Sequence, residues 1–172
     1  NLYIKEINKN FAKTSKLILY LPSKYTLKKL DIVGGAGQVS LNDITTEKLK
    51  LELGAGNTKI TNLDVKSNSS IEGGAGNLNI KNSTLNNLDL DIGVGNVTLE
   101  AKILGKNKIE AGIGNLNIKL LAKKQDYQIK ASKGIGKITI ADSSIKDDES
   151  IGKGQNYLEL EGGIGNITVS FK

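Results

Sequence analysis

The sequence predicts an all-β protein, a single-stranded β-helix (β-solenoid) of about eight coils. Three observations predict it. One phrase, Gly-x-Gly-polar-apolar-x-apolar, occurs seven times, starting at Gly35, Gly54, Gly74, Gly93, Gly112, Gly134 and Gly163. The first five copies start 19, 20, 19 and 19 residues apart, and the last two steps lengthen to 22 and 29. Between copies, apolar and polar residues alternate with period two, the pattern of a strand with one buried face.

The elements follow from where that alternation breaks. Leu49, Leu51, Leu53 and Ala55 alternate with Lys50, Glu52 and Gly54, but the next inward candidates, Thr58 and Ile60, are an odd step away. The chain therefore turns a corner at Gly56-Asn57, two residue types that tolerate left-handed backbone angles. A second break falls between Ile60 and Leu63, and the polar stretch 66–70 leads into the next long strand. One coil is a long strand, a Gly-Asn corner and one or two short strands. Leu88, Leu90, Ile92 and Val94 repeat the frame, as do Leu30, Ile32, Gly34 and Ala36, and Leu158, Leu160, Gly162 and Ile164. No segment carries convincing helical spacing.

The position between the two glycines reads Ala36, Ala55, Ala75, Val94, Ile113, Ile135, Ile164. In a stack it forms one column, expected to point inward and to carry close packing. On that expectation Ile113→Ala costs about 2–5 kcal/mol. The corner residues Asn57, Asn77, Asn96, Asn115 and Asn166 are expected to form an amide ladder, with Gln38 and Lys137 interrupting it. A single domain over 1–172 is expected, with an N-terminal strand and first coil in 1–33, regular coils in 34–140, and a loop insertion plus C-terminal coil in 141–172. Each coil should cover the open edge of the one before, and residues 1–33 and 141–157 are the candidate end caps.

Composition restricts function more than it assigns it. The chain has 172 residues, 38% hydrophobic but only 4% aromatic, with 20 Gly, one Pro and no His, Cys, Met or Trp. All 24 basic residues are Lys, and the net charge is +6. This balance favours anionic polymers such as teichoic acids, acidic glycans or lipid headgroups. Dispersed lysines and scarce aromatic platforms argue against nucleic acid. Without cysteine there are no disulfides or thiolate metal sites. No stretch approaches the roughly 20 apolar residues of a membrane helix. The first residue is Asn1, so any signal or membrane tether is expected upstream of this chain.

Each chemical motif has a weaker fit than the architectural one. A phosphate-cradling glycine loop needs a following helix, whereas every phrase here precedes a strand pattern. The calcium-roll nonapeptide needs an aspartate where Gly73-Gly74-Ala75-Gly76-Asn77-Leu78 has Leu78. The outward column Glu52, Glu72, Asp91, Glu110 reads first as a solvated face paired with lysines such as Lys50, Lys59 and Lys108. Its alternative is a cation-binding stripe, against which stands calcium's need for converging oxygens. No catalytic, cofactor-binding or metal-ligating residues are assigned, and no enzyme activity is expected.

The recurring G-[AVI]-G-N units, the leading Ile18-Leu19-Tyr20-Leu21-Pro22 strand and the closing Gly163-Ile164-Gly165-Asn166-Ile167-Thr168-Val169 resemble the bacterial adhesin β-solenoids of domain-of-unknown-function family 4097. They are also similar to the GIN head domain of autotransporter adhesins. The resemblance runs from about residue 15 to Lys172, and many members carry Asp or Ser where this chain has Asn. It implies a β-solenoid of the bacterial envelope, on the cell surface or extracellular, tethered through an upstream membrane segment, with no defined catalytic or ligand residues. The function expected is therefore a non-enzymatic surface-interaction or adhesion module, its partner an anionic wall polymer, a glycan or another envelope protein. The alternatives are a regulatory or sensory ectodomain of a membrane-anchored stress protein and a glycan-binding or glycan-cleaving β-helix.

Overall fold

A computed structural model describes residues 18–22 and 25–172. Residues 1–17 and 23–24 of the proposed N-terminal cap lie outside the described residues, but the expected leading strand Ile18-Leu19-Tyr20-Leu21-Pro22 is described and is not a strand: its five residues are exposed and the first strand begins at Thr26. Twelve strands form one sheet that curls around a single aliphatic core. The only helical piece among the described residues is a 3₁₀ turn, Lys124–Asp126.

Strands β1 (Thr26–Leu27) and β2 (Leu30–Asn86) open the stack, β2 running through several corners without a break. Strands β3 (Leu88–Val94), β4 (Val97–Leu104), β5 (Lys106–Ile113) and β6 (Leu116–Leu120) continue it. All of these pairings are parallel at an offset of 19 residues, such as Ser69 on Leu88, Leu90 on Ile109 and Leu99 on Ile118, shortening to 18 past a register shift between Ile80 and Ser83, where Leu85 lies on Ile103. The period in the sequence is thus the rung-to-rung offset. Inward residues Leu51, Ile71, Leu90, Ile109, Leu160 and Ala131 are wholly buried. At the second corner Asp43, Asn62 and Asn82 take positive φ, the angle short polar side chains tolerate best.

Stacking order departs from chain order at the C-terminus. Strands β7 (Tyr127–Ile135) and β8 (Ile138–Ile140) do not lie on β5 and β6. Instead β11 (Asn156–Ile164) sits between β5 and β7, with Leu160 pairing both Ile109 and Ala131. Likewise β12 (Ile167–Phe171) sits between β6 and β8, with Thr168 pairing both Asn117 and Thr139. The expectation that each coil covers its predecessor fails here. The 22-residue step is longer by the stretch around the 3₁₀ turn, which carries the chain past one rung level. The next stretch returns it to fill the gap.

That return is the second departure. Residues 141–157 were expected to form a surface loop, but they contain β9 (Ser143–Ser144) and β10 (Glu149–Gly152), which pair antiparallel with β8 and β7, and they end in the first two residues of β11. They cap the far edge, as expected for this segment, through backbone pairing. Asp147 Oδ1 accepts from the Lys133 N–H at 2.7 Å, and Lys130 pairs with Asp148 at 3.0 Å.

Tyr127 is the one fully buried aromatic residue among those described. Its hydroxyl accepts a hydrogen bond from the Ile103 N–H at 3.3 Å, and its ring meets Phe171 at 6.2 Å. Burial pushes the phenol above its ordinary ionisation range, partly offset by the Ile103 bond. A raised folded-state value means the neutral phenol's stability is intact below the unfolded value near 10 and is lost as pH rises through the folded one. Wild-type protein should therefore lose stability in that alkaline window more steeply than Tyr127→Phe, measured by urea unfolding at stepped pH.

Beneath the glycine corner at the N-terminal end lies a cavity of about 130 Å³, bordered by Gly34, Val39, Leu53 and Gly73. A Cβ on Gly34 would meet Val39 and Leu53 at 3.7 and 4.0 Å, ordinary contact distances. Gly34→Ala should stabilise the fold by roughly 0.5–1 kcal/mol, since it also restricts the unfolded chain. A melting curve shifted upward checks this.

Candidate interaction surface

The glycine corner arranges three parallel files along the stack. The Gly-x-Gly residue does not point inward. Ala36, Ala55 and Ala75 are exposed, and Val94, Ile113, Ile164 and Ile135 are 49%, 51%, 51% and 70% exposed. The inward expectation is overturned because the corner begins one step earlier than parity suggested. Leu53 is the last inward residue and Thr58 the next, so the four residues between them form the bend. Backbone contacts fix it: the Gly95, Gly114 and Gly165 N–H groups donate to the carbonyls of Ile113, Ile164 and Ile135 at 2.7–2.8 Å.

The glycines serve this close approach. At Gly95 φ is +145°, and a Cβ there would overlap the Gly76 carbonyl oxygen. A side chain at that position meets both a disfavoured backbone angle and a neighbouring rung. The period-two reading missed the outward aliphatics because Ala, Val and Ile are the residue types expected of a core. The signal available was the pair of flanking glycines, which marks backbone contact between rungs rather than side-chain packing.

Beside this ridge runs the amide file. Asn77 Nδ2 donates to Asn57 Oδ1 at 3.1 Å, and Asn96 and Asn115 each bond the rung before through main-chain and side-chain N–H groups. The ladder then jumps 51 residues: the Asn166 N–H donates to Asn115 Oδ1 at 3.0 Å, and the Lys137 N–H donates to Asn166 Oδ1 at 2.9 Å. Lys137 was expected to interrupt the ladder. The changed stacking order makes it the rung that follows Asn166, so the asparagines from Asn57 to Asn166 run unbroken.

On the other side lies the acidic file Glu52, Glu72, Asp91 and Glu110, extended by Glu161, which pairs with Glu110 in the sheet. Five carboxylates therefore follow one another, one more than the chain order suggested. Lys50 pairs with Glu52 at 2.5 Å, and Lys108 bridges Glu110 and Glu161 at 3.1 and 3.5 Å. The hydrogen bond to Glu110 holds the Lys108 ammonium above the usual lysine range, and the hydrogen bond to Glu52 does the same for Lys50. These pairs are exposed, so they tune the surface and contribute little to stability. A shallow trough with Gly54, Gly74 and Gly93 along its floor separates the acids from the ridge. Among the described residues no three acidic side chains converge as metal ligands.

The second and third corners add polar groups that the sequence reading did not single out. Asn107 is buried; its Oδ1 accepts from the Leu88 N–H, and its Nδ2 donates to the Gly105 and Tyr157 carbonyls. Asn156 bonds the Gly105 N–H and the Asp126 carbonyl, tying β11 to both of its neighbours' approaches. These are structural amides that satisfy backbone groups at the bends.

Parallel rungs in register, with like side chains filed along exposed corners, define a solenoid-like all-β repeat protein. A family model described as Toastrack, a domain of unknown function (DUF4097), matches residues 3–156, and the chain belongs to that family. No curated protein and no solved structure matches it. No helix among the described residues is long and apolar enough to cross a membrane.

Proposed function

We propose that this chain is a non-enzymatic surface-interaction module of the bacterial envelope, of the adhesin type, built as a β-solenoid of about eight coils. The observation that supports it is the filing itself. Acidic, amide and aliphatic side chains repeat at about 4.8 Å along straight exposed files, which suits recognition of a periodic polymer or an extended protein surface. Convergent geometry around one reacting atom is what catalysis requires, and files spread groups apart. The net charge of +6 favours an anionic wall polymer or acidic glycan. In this reading the module works outside the cytoplasm and is tethered through a segment beyond this chain.

The test is binding of purified protein to immobilised polyglycerol-phosphate polymer, acidic glycans and neutral glycans at low and high salt, with product analysis of every soluble glycan. Salt-sensitive retention on the anionic polymers with no cleavage is the expected result. Release of any oligosaccharide product, or equal retention on neutral glycans, contradicts the proposal.

A further inference from the structure

The geometry points to a second copy of this chain as the partner of the aliphatic ridge, in a weak parallel homodimer. This goes beyond the polymer-binding reading and stands or falls separately from it. In spatial order the ridge reads Val94, Ile113, Ile164, Ile135, joined rung to rung by sheet pairing. Each is about half exposed or more. Apolar residues scattered singly on a surface need no explanation, but four in one line form a patch.

Three physical features select the occupant. The first is spacing. Ridge side chains recur every ~4.8 Å, and only another ladder of the same repeat stays in step with them rung for rung. An α-helix repeats at ~5.4 Å per turn and slips by about 2 Å over three steps. One face of a lone strand repeats at ~6.7 Å and slips by more than a full rung. The second is size. Along the stack the ridge grows from Ala36, Ala55 and Ala75 to Val94 and the three isoleucines. A parallel pairing sets equal side chains opposite each other.

The third is charge. The acidic file, including Asp91, Glu110 and Glu161, flanks the ridge on one side, and Asn96, Asn115, Asn166 and Lys137 flank it on the other. A two-fold axis parallel to the stack sets the acidic file of one copy against the amide file of its partner. A two-fold axis across the stack instead sets the Glu110–Glu161 pair of each copy face to face, two carboxylates with only Lys108 between them, which leaves net repulsion. The parallel dimer is therefore the favoured one. A ridge of four partly exposed aliphatic side chains covers well below the ~800 Å² per partner of a standard stable interface. The dimer should exchange rapidly rather than persist.

Sedimentation of the full chain tests this. The weight-average mass should rise from the monomer value toward twice that value between about 10 µM and about 1 mM. The Ile113→Lys/Ile164→Lys variant should melt like the wild type, because both sites are exposed, and should associate at least tenfold more weakly. The chain has no cysteine, so Ile113→Cys should give a self-linked dimer on mild oxidation, and Lys102→Cys should not. A mass that stays monomeric throughout overturns the proposal. So does association that survives the double lysine change, or preferential linking of Val94→Cys to Ile135→Cys in a mixed sample, the mark of an antiparallel pair.

Discussion

Removing residues 156–172 should unfold far more than the last coil. The strands deleted, β11 and β12, are the layer between β5–β6 and β7–β8. Without them, residues 127–140 stand about 9.6 Å, two rung heights, from their nearest parallel neighbour. The cap strands β9 and β10 pair with those same residues and lose their support too. Four side chains with 0–1% exposure, Leu158, Leu160, Ile167 and Val169, disappear from the core. At roughly 1.5–3 kcal/mol each, their loss is on the order of 6–12 kcal/mol, comparable to the stability of a whole domain. Hydrogen exchange on the truncated chain should show residues 127–155 exchanging freely although they precede the cut. Rungs near Leu90 and Leu99 should keep measurable protection. Retained protection across 127–140 would contradict the intercalated order.

The second large effect comes from adding one methyl group. Gly95→Ala should destabilise by roughly 3 kcal/mol or more, and Ile113→Ala, which removes three carbons, by less than about 1 kcal/mol. The alanine Cβ at position 95 would run into the Gly76 carbonyl oxygen at a φ of +145° that L-residues avoid. Ile113, by contrast, is 51% exposed and points away from the core. Urea unfolding of the two variants should rank them in that order. The reverse ranking would restore the inward column that the sequence first suggested. Gly34→Ala, expected to stabilise, completes the contrast: the same substitution has opposite signs depending on what lies within reach of the new Cβ.

Most of the architecture was legible in the residues. The 19–20-residue spacing is the rung offset, Leu49/Leu51 and Leu88/Leu90 face inward as their alternation predicts, and the asparagine ladder forms where the corners repeat. What alternation could not locate was the start of the bend. Leu53, Gly54 and Ala55 continue a strand pattern, so parity placed Ala55 and its equivalents inside. The stacking order was equally hidden. Steps of 22 and 29 residues fit either a longer coil or a skipped and refilled rung. Only the backbone pairing distinguishes them, through contacts 51 residues apart such as Asn166 on Asn115.

The surface files were legible as columns, but their lengths were not. Glu161 joins Glu110, and Lys137 follows Asn166, only because β11 and β12 are threaded between earlier coils. An interaction surface inferred in chain order would therefore be broken where the folded one is continuous. This links the fold to the proposed binding role: the refilled rung lengthens the acidic file by one step and keeps the asparagine file unbroken.

Pairwise cysteine cross-linking tests the threaded order most directly, because the native chain contributes no thiol. Thr168 pairs in register with both Asn117 and Thr139. Asn117→Cys/Thr168→Cys and Thr139→Cys/Thr168→Cys should each form a disulfide within one chain. Asn117→Cys/Thr139→Cys should not, its Cα atoms lying about 9.6 Å apart, beyond the ~7 Å a disulfide spans. Ready bridging of positions 117 and 139, with 168 linking to 139 alone, would show coils stacked in simple chain order and contradict the account.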